Sequence, residues 1–375
     1  MNIVMISTNG LDIDPRIYNE SMTLIDAGHQ IEVLSWDREN RTSGVDNTEI
    51  DGIKIRRFFI NAKYGTGFKQ IFAYLKYIYE VKKYLKNKNF DVIHGHDIDG
   101  AFIGSFLKKD KILVWDMREL YDGFNHGRIK KIIYEIFARW CFIHIDGLIA
   151  VIDYQFERYR NKIKKHTVCE TILNTTEKKL FDGFNRKLSD SLRISYIGSV
   201  RQIKELKLLM DSGVNIDDLK IQIHGSGAVL EDLLSIVDNY DNVTITGQFY
   251  YKDTKYLYEE TDLLYVVYDK NIDNQKYGIP IKGYEAIYTL TPVIAQHGSY
   301  FANFVKKHDI GFVINGNNLN ELRNIIVKVK TNRALLKKKE DNIRKIQNFY
   351  LWENQAEKLK LFYKNVGNKN IAVLH

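Results

Sequence analysis

The chain has 375 residues, 45% of them hydrophobic and 27% charged, with a net charge of +8; this length suits two domains of about 100–200 residues, and the balance excludes a disordered or fibrous chain. The two cysteines, Cys141 and Cys169, are far apart without metal-type spacing, so no disulfide framework is expected and a reducing cytoplasm is the expected compartment. No apolar run approaches the roughly 18–20 residues of a membrane span, and "MNIVMISTNG" enters a strand pattern with no basic segment ahead of a long apolar core, so no signal peptide is expected.

Short β-rich apolar runs alternate with helical patterns from end to end. In the first half "NIVMIS", "IEVLSW", "IKIRRFF", "DVIHG", "ILVWD" and "GLIAVI" read as strands, with "PRIYNESMTLIDAG" as a helix after the first. The stretch "KYGTGFKQIFAYLKYIYEVKKYLKNKNF" reads as a basic, aromatic, amphipathic helix. In it Lys69, Lys76, Lys82, Lys83, Lys86 and Lys88 interleave with Phe68, Phe72, Tyr74, Tyr77 and Tyr79. It serves either as a domain helix with a solvated lysine face or as an attachment to anionic lipid, where each lysine contributes about 1 kcal/mol. No nucleic-acid motif accompanies the charge, so no nucleic-acid partner is expected. After the polar stretch "DGFNRKLSDS" the scheme restarts near Leu192 with "RISYIGS", "LKIQIHG", "NVTITG", "DLLYVVY", "TPVIA" and "IGFVI", and with "AVLEDLLSIVDNY" as a helix. Such alternation implies two α/β domains, each a doubly wound parallel sheet. Ligands in such sheets bind at the carboxyl ends of the strands, which directs attention to the loops that follow them.

Three of those loops lie in the second half. In "ISYIGSVRQIKELKLLMDSG" a strand runs into Gly198 and Ser199 and then a helix, with Arg201 and Lys204 three residues apart. Glycine permits close backbone approach, and a helix N-terminus with two cations suits a diphosphate. In "IQIHGSGAVLEDLL", Gly225 and Gly227 repeat the arrangement but lack the third glycine of a dinucleotide fingerprint; a tight turn explains them equally well. "YGIPIKGYEAIYTLTPVIAQHGS" holds two of the three prolines, Pro280 and Pro292. Pro280 suits a first helical turn. Lys282 and Glu285 then sit near the positive end of the helix dipole, where a carboxylate can accept bonds from vicinal ribose hydroxyls.

The spacing P-x-K-x-x-E followed by "TPVIA" resembles the signature of GT-B glycosyltransferases, in particular the retaining glycosyltransferase family 4. "DIDPRIYNESMTLIDAGHQIEVLSWDR", "FDVIHGHDID", "VWDMRELY", "DGLIAVIDYQFERY", "ILNTTEKKLF", "YIGSVRQIK", "NVTITGQFYYKDTKYLYEETDLLYVV" and "FYLWENQAEKLKLFY" are similar to that family's successive elements, so the resemblance covers nearly the whole chain. It implies an α/β GT-B fold: two doubly wound Rossmann-like domains facing across a cleft, with a C-terminal helix crossing back. The boundaries expected are 1–185 for an acceptor-side domain, 186–345 for a donor-side domain and 346–375 for the returning helix.

The resemblance further implies a transferase moving a sugar from a nucleotide-diphosphate sugar, a UDP-sugar above all, to a glycan or lipid-linked acceptor in surface polysaccharide or glycoconjugate synthesis, with retention and without a metal or other cofactor. Arg201 and Lys204 would neutralise the diphosphate, with Gly198, Ser199 and Gly225 beside it and Gly10 on the opposing wall. Glu285 would hold the ribose, with Lys282 and Tyr284 alongside, and Phe249 and Tyr250 would contact the base. On the first domain His96, Asp97 and Arg118 are the catalytic candidates. Three positions depart from the pattern: Tyr277 replaces a glutamate that commonly touches the donor sugar, Arg118 replaces a histidine, and Thr175 replaces a glycine. The pairs Asp12/Asp14 and Asp97/Asp99 read as loop residues, not metal ligands, and His94 and His96 as cleft lining, since no third ligand has suitable spacing. Two other readings are a nucleotide-sugar epimerase on the same fold and a catalytically silent binding subunit.

Overall fold

The computed structural model describes residues 1–8, 14–40, 44–62, 68–121, 128–316 and 318–373. It divides into two compact units, Met1–Asn174 with Gln355–His375, and Thr175–Asn354. The expected boundaries at 185/186 and 345/346 therefore move to 174/175 and 354/355. The polar segment at the expected boundary is a strap on the second unit. Arg186 donates to the carbonyls of Thr261 (2.7 Å) and Thr289 (2.9 Å), and the Lys187 amide donates to Glu259 (2.9 Å).

The first unit is built on strands β1 (Asn2–Ser7), β2 (Gln30–Asp37), β3 (Asn47–Ile50), β4 (Ile53–Phe59), β5 (Val92–His96), β6 (Ile112–Met117), β7 (Gly147–Ala150) and β8 (Val168–Thr171). They form one sheet in the order β3-β4-β2-β1-β5-β6-β7-β8. All pairings are parallel except β3 with β4, a hairpin at the edge. β1 and β6 are buried along almost their whole length, as expected of strands covered by helices on both faces. The helix Trp352–Val373 contributes its later turns to this unit. Leu359, Phe362, Tyr363 and Val366 are buried, and Gln355 accepts the Leu173 amide (3.1 Å).

The second unit carries β9 (Leu192–Ile197), β10 (Leu219–His224), β11 (Val243–Gly247), β12 (Leu263–Val266), β13 (Val293–Gln296) and β14 (Gly311–Ile314). Their order is β11-β10-β9-β12-β13-β14, all parallel. In chain order within the unit this is 3-2-1-4-5-6, the doubly wound Rossmann arrangement, whose switch point lies between the first and fourth strands, here β9 and β12. The two loops expected to hold an anion follow β9 and β10. The expected helix over 228–240 is instead a single turn, Leu230–Leu234, followed by a 3-10 turn at Val237–Asn239. Ser235 turns its hydroxyl back onto the Asp232 carbonyl (2.7 Å), a local bond that competes with helix continuation.

Among the described residues no helix is long and apolar enough to cross a membrane. In the basic helix, found at Phe68–Leu85, the aromatics divide. Tyr77 is fully buried and donates to the Ser7 or Leu34 carbonyl, whereas Ile71, Phe72, Leu75 and Tyr79 are exposed. A second exposed apolar row, Ile132, Ile133, Ile136, Trp140 and Ile143, runs along the helix Arg128–His144.

Candidate functional site

In the second unit the crest loops after β9 and β10 are stitched together. The Gly198 amide donates to His224 O and the Val200 amide to Ser226 O, both at 2.9 Å. Gly225 has φ +139°, and a Cβ there would lie 1.9 Å from Gly198 O; one at Gly227 would lie 2.1 Å from Val200 O. The two glycines thus let one loop back directly onto the other, which is the tight-turn reading of that motif. Gly198 itself, at φ +132°, faces the Lys282 ammonium, which lies 3.0 Å from where its Cβ would be.

Lys282 belongs to the helix Ile281–Tyr288, for which Pro280 is the N-cap. Its side chain is buried, and Nζ makes no hydrogen bond to any described residue. Nζ lies 3.6 Å from the centroid of the Tyr196 ring and 5.5 Å from that of Tyr268, so the ring faces are its chief stabilisation. Burial pushes this amine down to about 7, against the opposing pull of Glu285. A buried amine with no described anion in hydrogen-bond contact stands ready for one.

Glu285, one turn further along, is also buried. Tyr258 donates to its Oε2 (3.0 Å) and Tyr251 donates as well. Burial raises the Glu285 carboxyl above its ordinary value despite these donors and Lys282. Tyr258 is wholly buried, with its hydroxyl also 3.1 Å from Lys282 O. It fixes the helix turn that carries both charged groups. The two tyrosines were not picked out from sequence; the only signal was the density of tyrosine in "YYKDTKYLYEE".

Arg201 and Lys204 stand exposed at the start of the helix Ile203–Ser212. Arg201 acts electrostatically on Tyr196, whose hydroxyl donates to Ser199 O (2.6 Å). Gly198, Ser199 and Lys282 thus meet around Tyr196, on which Arg201 also acts. Gln202 ties the same crest to the following loop, donating to Gln275 (2.6 Å) and accepting from the Asp269 amide (3.2 Å). A small cavity nearby is lined by Tyr268, Lys270, Gln275, Pro280, Gln296 and Ser299, whose polar ends suit hydroxyl groups. Tyr277 is half-buried, with the Lys276 ammonium 4.7 Å over its ring. Phe249 is half-buried and Tyr250 exposed, just beyond Gly247. Tyr284 is buried beside Tyr350, which gives it a packing role.

In the first unit the expected catalytic groups come together, but as a closed ionic knot. Asp97, at φ +59°, accepts bonds from the Arg118 guanidinium and from Tyr121 (3.1 Å). Arg118 reaches Asp14 as well (2.8 Å). Burial would lower the Arg118 pKa, but Asp97 and Asp14 hold it well above its ordinary value. Burial likewise works to raise Asp14, and Arg118 overrides it, holding that carboxyl low. His96 is interior, with Nδ1 3.2 Å from Asp116 Oδ2, and His94 is fully buried. Neither lines an open surface, because β5 is covered on both faces. Asp99 accepts from Thr8 (3.4 Å). Gly10 and Asp12 lie outside the described residues.

Residues 178–347 match the family model described as glycosyl transferases group 1. No curated protein sequence matches the chain. Among solved structures it is similar to sucrose-phosphate synthase from Thermosynechococcus elongatus, with TM-score 0.82 and 17% identity over 98% of this chain and 99% of that one. It is also similar to HepE from Anabaena in complex with UDP-glucose, with TM-score 0.73 and 12% identity over 97% and 99%. A third similar structure is WaaG, a glycosyltransferase of lipopolysaccharide biosynthesis, with TM-score 0.67 and 13% identity over 95% and 99%. The matched segment falls within the second unit, in a chain with the two Rossmann-like domains of the GT-B fold.

Proposed function

We propose that the protein is a glycosyltransferase that takes a sugar from a nucleoside-diphosphate sugar, with UDP as the nucleotide carrier, and passes it to a glycan or lipid-linked acceptor in surface polysaccharide or glycoconjugate synthesis. The observation that carries this reading is the buried, unpartnered Lys282 ammonium at the Gly198 crest, one helical turn from the tyrosine-held Glu285. Breaking the bond to a diphosphate requires stabilised charge on the leaving oxygens, and fixed cations supply it without a metal ion. Lys282 would meet the diphosphate at the crest and Arg201 and Lys204 would approach it from solvent, while Glu285 would take the ribose hydroxyls. Complexes of the HepE fold relative with UDP-glucose support this donor class. Retention of configuration is proposed on the family resemblance.

Calorimetry with UDP and UDP-glucose, together with donor hydrolysis, tests the reading. Binding and slow cleavage are expected, and Glu285→Ala is expected to weaken binding by about 10–100-fold, the loss of one or two buried hydrogen bonds. A protein that neither binds nor cleaves any nucleotide sugar is a silent subunit; one that interconverts UDP-sugars is an epimerase.

Membrane attachment is part of the proposal and rests on a separate surface. Exposed Lys76, Lys82, Lys83 and Lys86 accompany the apolar residues of Phe68–Leu85, and the exposed row on Arg128–His144 adds to them. Flotation with vesicles rich in anionic lipid should carry the protein, and Lys82, Lys83 and Lys86 changed together to glutamate should release it. Equal flotation of the triple variant, or none of the wild type, rejects this surface.

A further inference from the structure

The first unit encloses a polar cluster that the proposed transfer reaction does not use. The helix Pro15–Asp26 supplies Glu20, β5 supplies His94 and His96, and β6 supplies Asp116. One donor atom from each of the four lies within 4.8 Å of the others, and all four residues are buried. Glu20 Oε2 is 3.4 Å from His94 Nε2 and 4.0 Å from His96 Nε2. None of these three atoms makes a hydrogen bond to a described residue. Three buried polar atoms aimed at one point and left unbonded require an explanation, since each such group costs about 1–3 kcal/mol.

We propose that His94, His96 and Glu20 form a structural site for a divalent cation of the zinc class, with Asp116 as the supporting carboxylate behind His96. The groups behind the donors are those a metal site needs. His96 presents Nδ1 to Asp116 at 3.2 Å and His94 presents Nδ1 to Tyr363 at 2.6 Å. Both imidazoles are thereby oriented with Nε2 inward, as metal-binding histidines are held by an outer partner. Two imidazoles and a carboxylate suit zinc, and in a tetrahedral site its ligand atoms stand about 3.3 Å apart, so His94 Nε2 already lies in range of Glu20 Oε2 and His96 Nε2 must close by about 0.7 Å. The rings of His94 and His96 are already stacked at 4.4 Å between centroids.

Charge accounts for how such an ion is tolerated. Arg16 pairs with Asp116 (2.8 Å) and lies 3.0 Å from Glu20 Oε1. With Arg16 and Asp116 cancelling, a dication beside an ionised Glu20 leaves one net positive charge. The adjoining knot of Asp14 and Asp97 around the single Arg118 carries one net negative charge, and both Asp14 and Arg118 act electrostatically on Glu20. The cation would tie the helix Pro15–Asp26 to two central strands and, through Tyr363, to the C-terminal helix.

The test uses the full chain, freed of metal with a chelator and titrated with zinc alone. One ion per chain is expected, with a rise in melting temperature of about 5 °C at a hundredfold excess over the dissociation constant. Glu20→Gln keeps the size and shape of the side chain and should fold, yet lose both the ion and the temperature shift. X-ray absorption of the zinc-loaded wild type should show two imidazoles and oxygen donors, a readout that holds even if the variant folds poorly. No stoichiometric ion and no shift in the wild type, an equal shift in Glu20→Gln, or a spectrum without imidazole overturns the proposal.

Discussion

Replacing Lys282 with methionine is expected to abolish most nucleotide affinity while raising the melting temperature. The two effects have one cause. The amine is buried against the Tyr196 and Tyr268 rings with no anion in contact. Its descent from 10.5 to about 7 corresponds to roughly 5 kcal/mol of destabilisation at about 1.4 kcal/mol per unit. Methionine fills similar space without a charge, so a gain on the order of 3 kcal/mol is expected after allowing for imperfect packing. Losing a buried charge-assisted contact to a diphosphate should weaken binding of UDP by about 100-fold.

The pH dependence follows with a definite sign. Because the folded-state value lies below the unfolded one, the destabilisation is complete below pH 7 and is relieved as pH rises from 7 toward 10.5. The stability gap between variant and wild type should therefore close over that window. A bound dianion restores the proton, so wild-type affinity should fall about tenfold per pH unit above 7, with proton uptake seen as a buffer-dependent enthalpy. Unchanged UDP affinity in Lys282→Met would remove the central element of the proposed donor site.

The parallel strands were legible in sequence because burial on both faces makes them continuous apolar runs, as in "ILVWD". β3 and β8 were missed for the converse reason. "NTEI" lies at an exposed hairpin edge, and "VCET" is a short, half-buried end strand. Lys282 and Glu285 could be paired from sequence because three residues on a helix place them on one face. Tyr251 and Tyr258 come from a different segment and could not be paired with them by spacing. The Glu20–His94–His96–Asp116 cluster was illegible for the same reason, since a search for a third ligand at fixed spacing cannot see a helix and a neighbouring strand brought together by sheet order. Composition misled at the boundary. "DGFNRKLSDS" is polar because it lies on a surface, yet Arg186 and Lys187 bind it to the second unit. Phe181, just ahead of it, is buried against Tyr258 and Tyr288.

Arg118, expected from the family resemblance to stand near the transferring sugar, is better tested as a structural cation. In Arg118→Met the carboxylates of Asp97 and Asp14 lose the guanidinium that holds both, while each remains mostly shielded from water, at 26% and 21% side-chain exposure. Removing one partner of such a group leaves uncompensated charge, and a loss of about 3 kcal/mol is expected. Lysine should recover only part of it, because one ammonium cannot reproduce the planar fork that spans two carboxylates. The acid limb supplies a second readout. Asp14 is held below its ordinary 3.8, so its contribution is fully present above that value and disappears as pH falls through the folded-state value. The variant lacks this contribution, and its unfolding curve should be flatter in acid than that of the wild type. Were Arg118 instead a reaction-centre residue with little structural duty, the methionine variant would melt within about a degree of the wild type and lose turnover alone, an outcome incompatible with the knot described above.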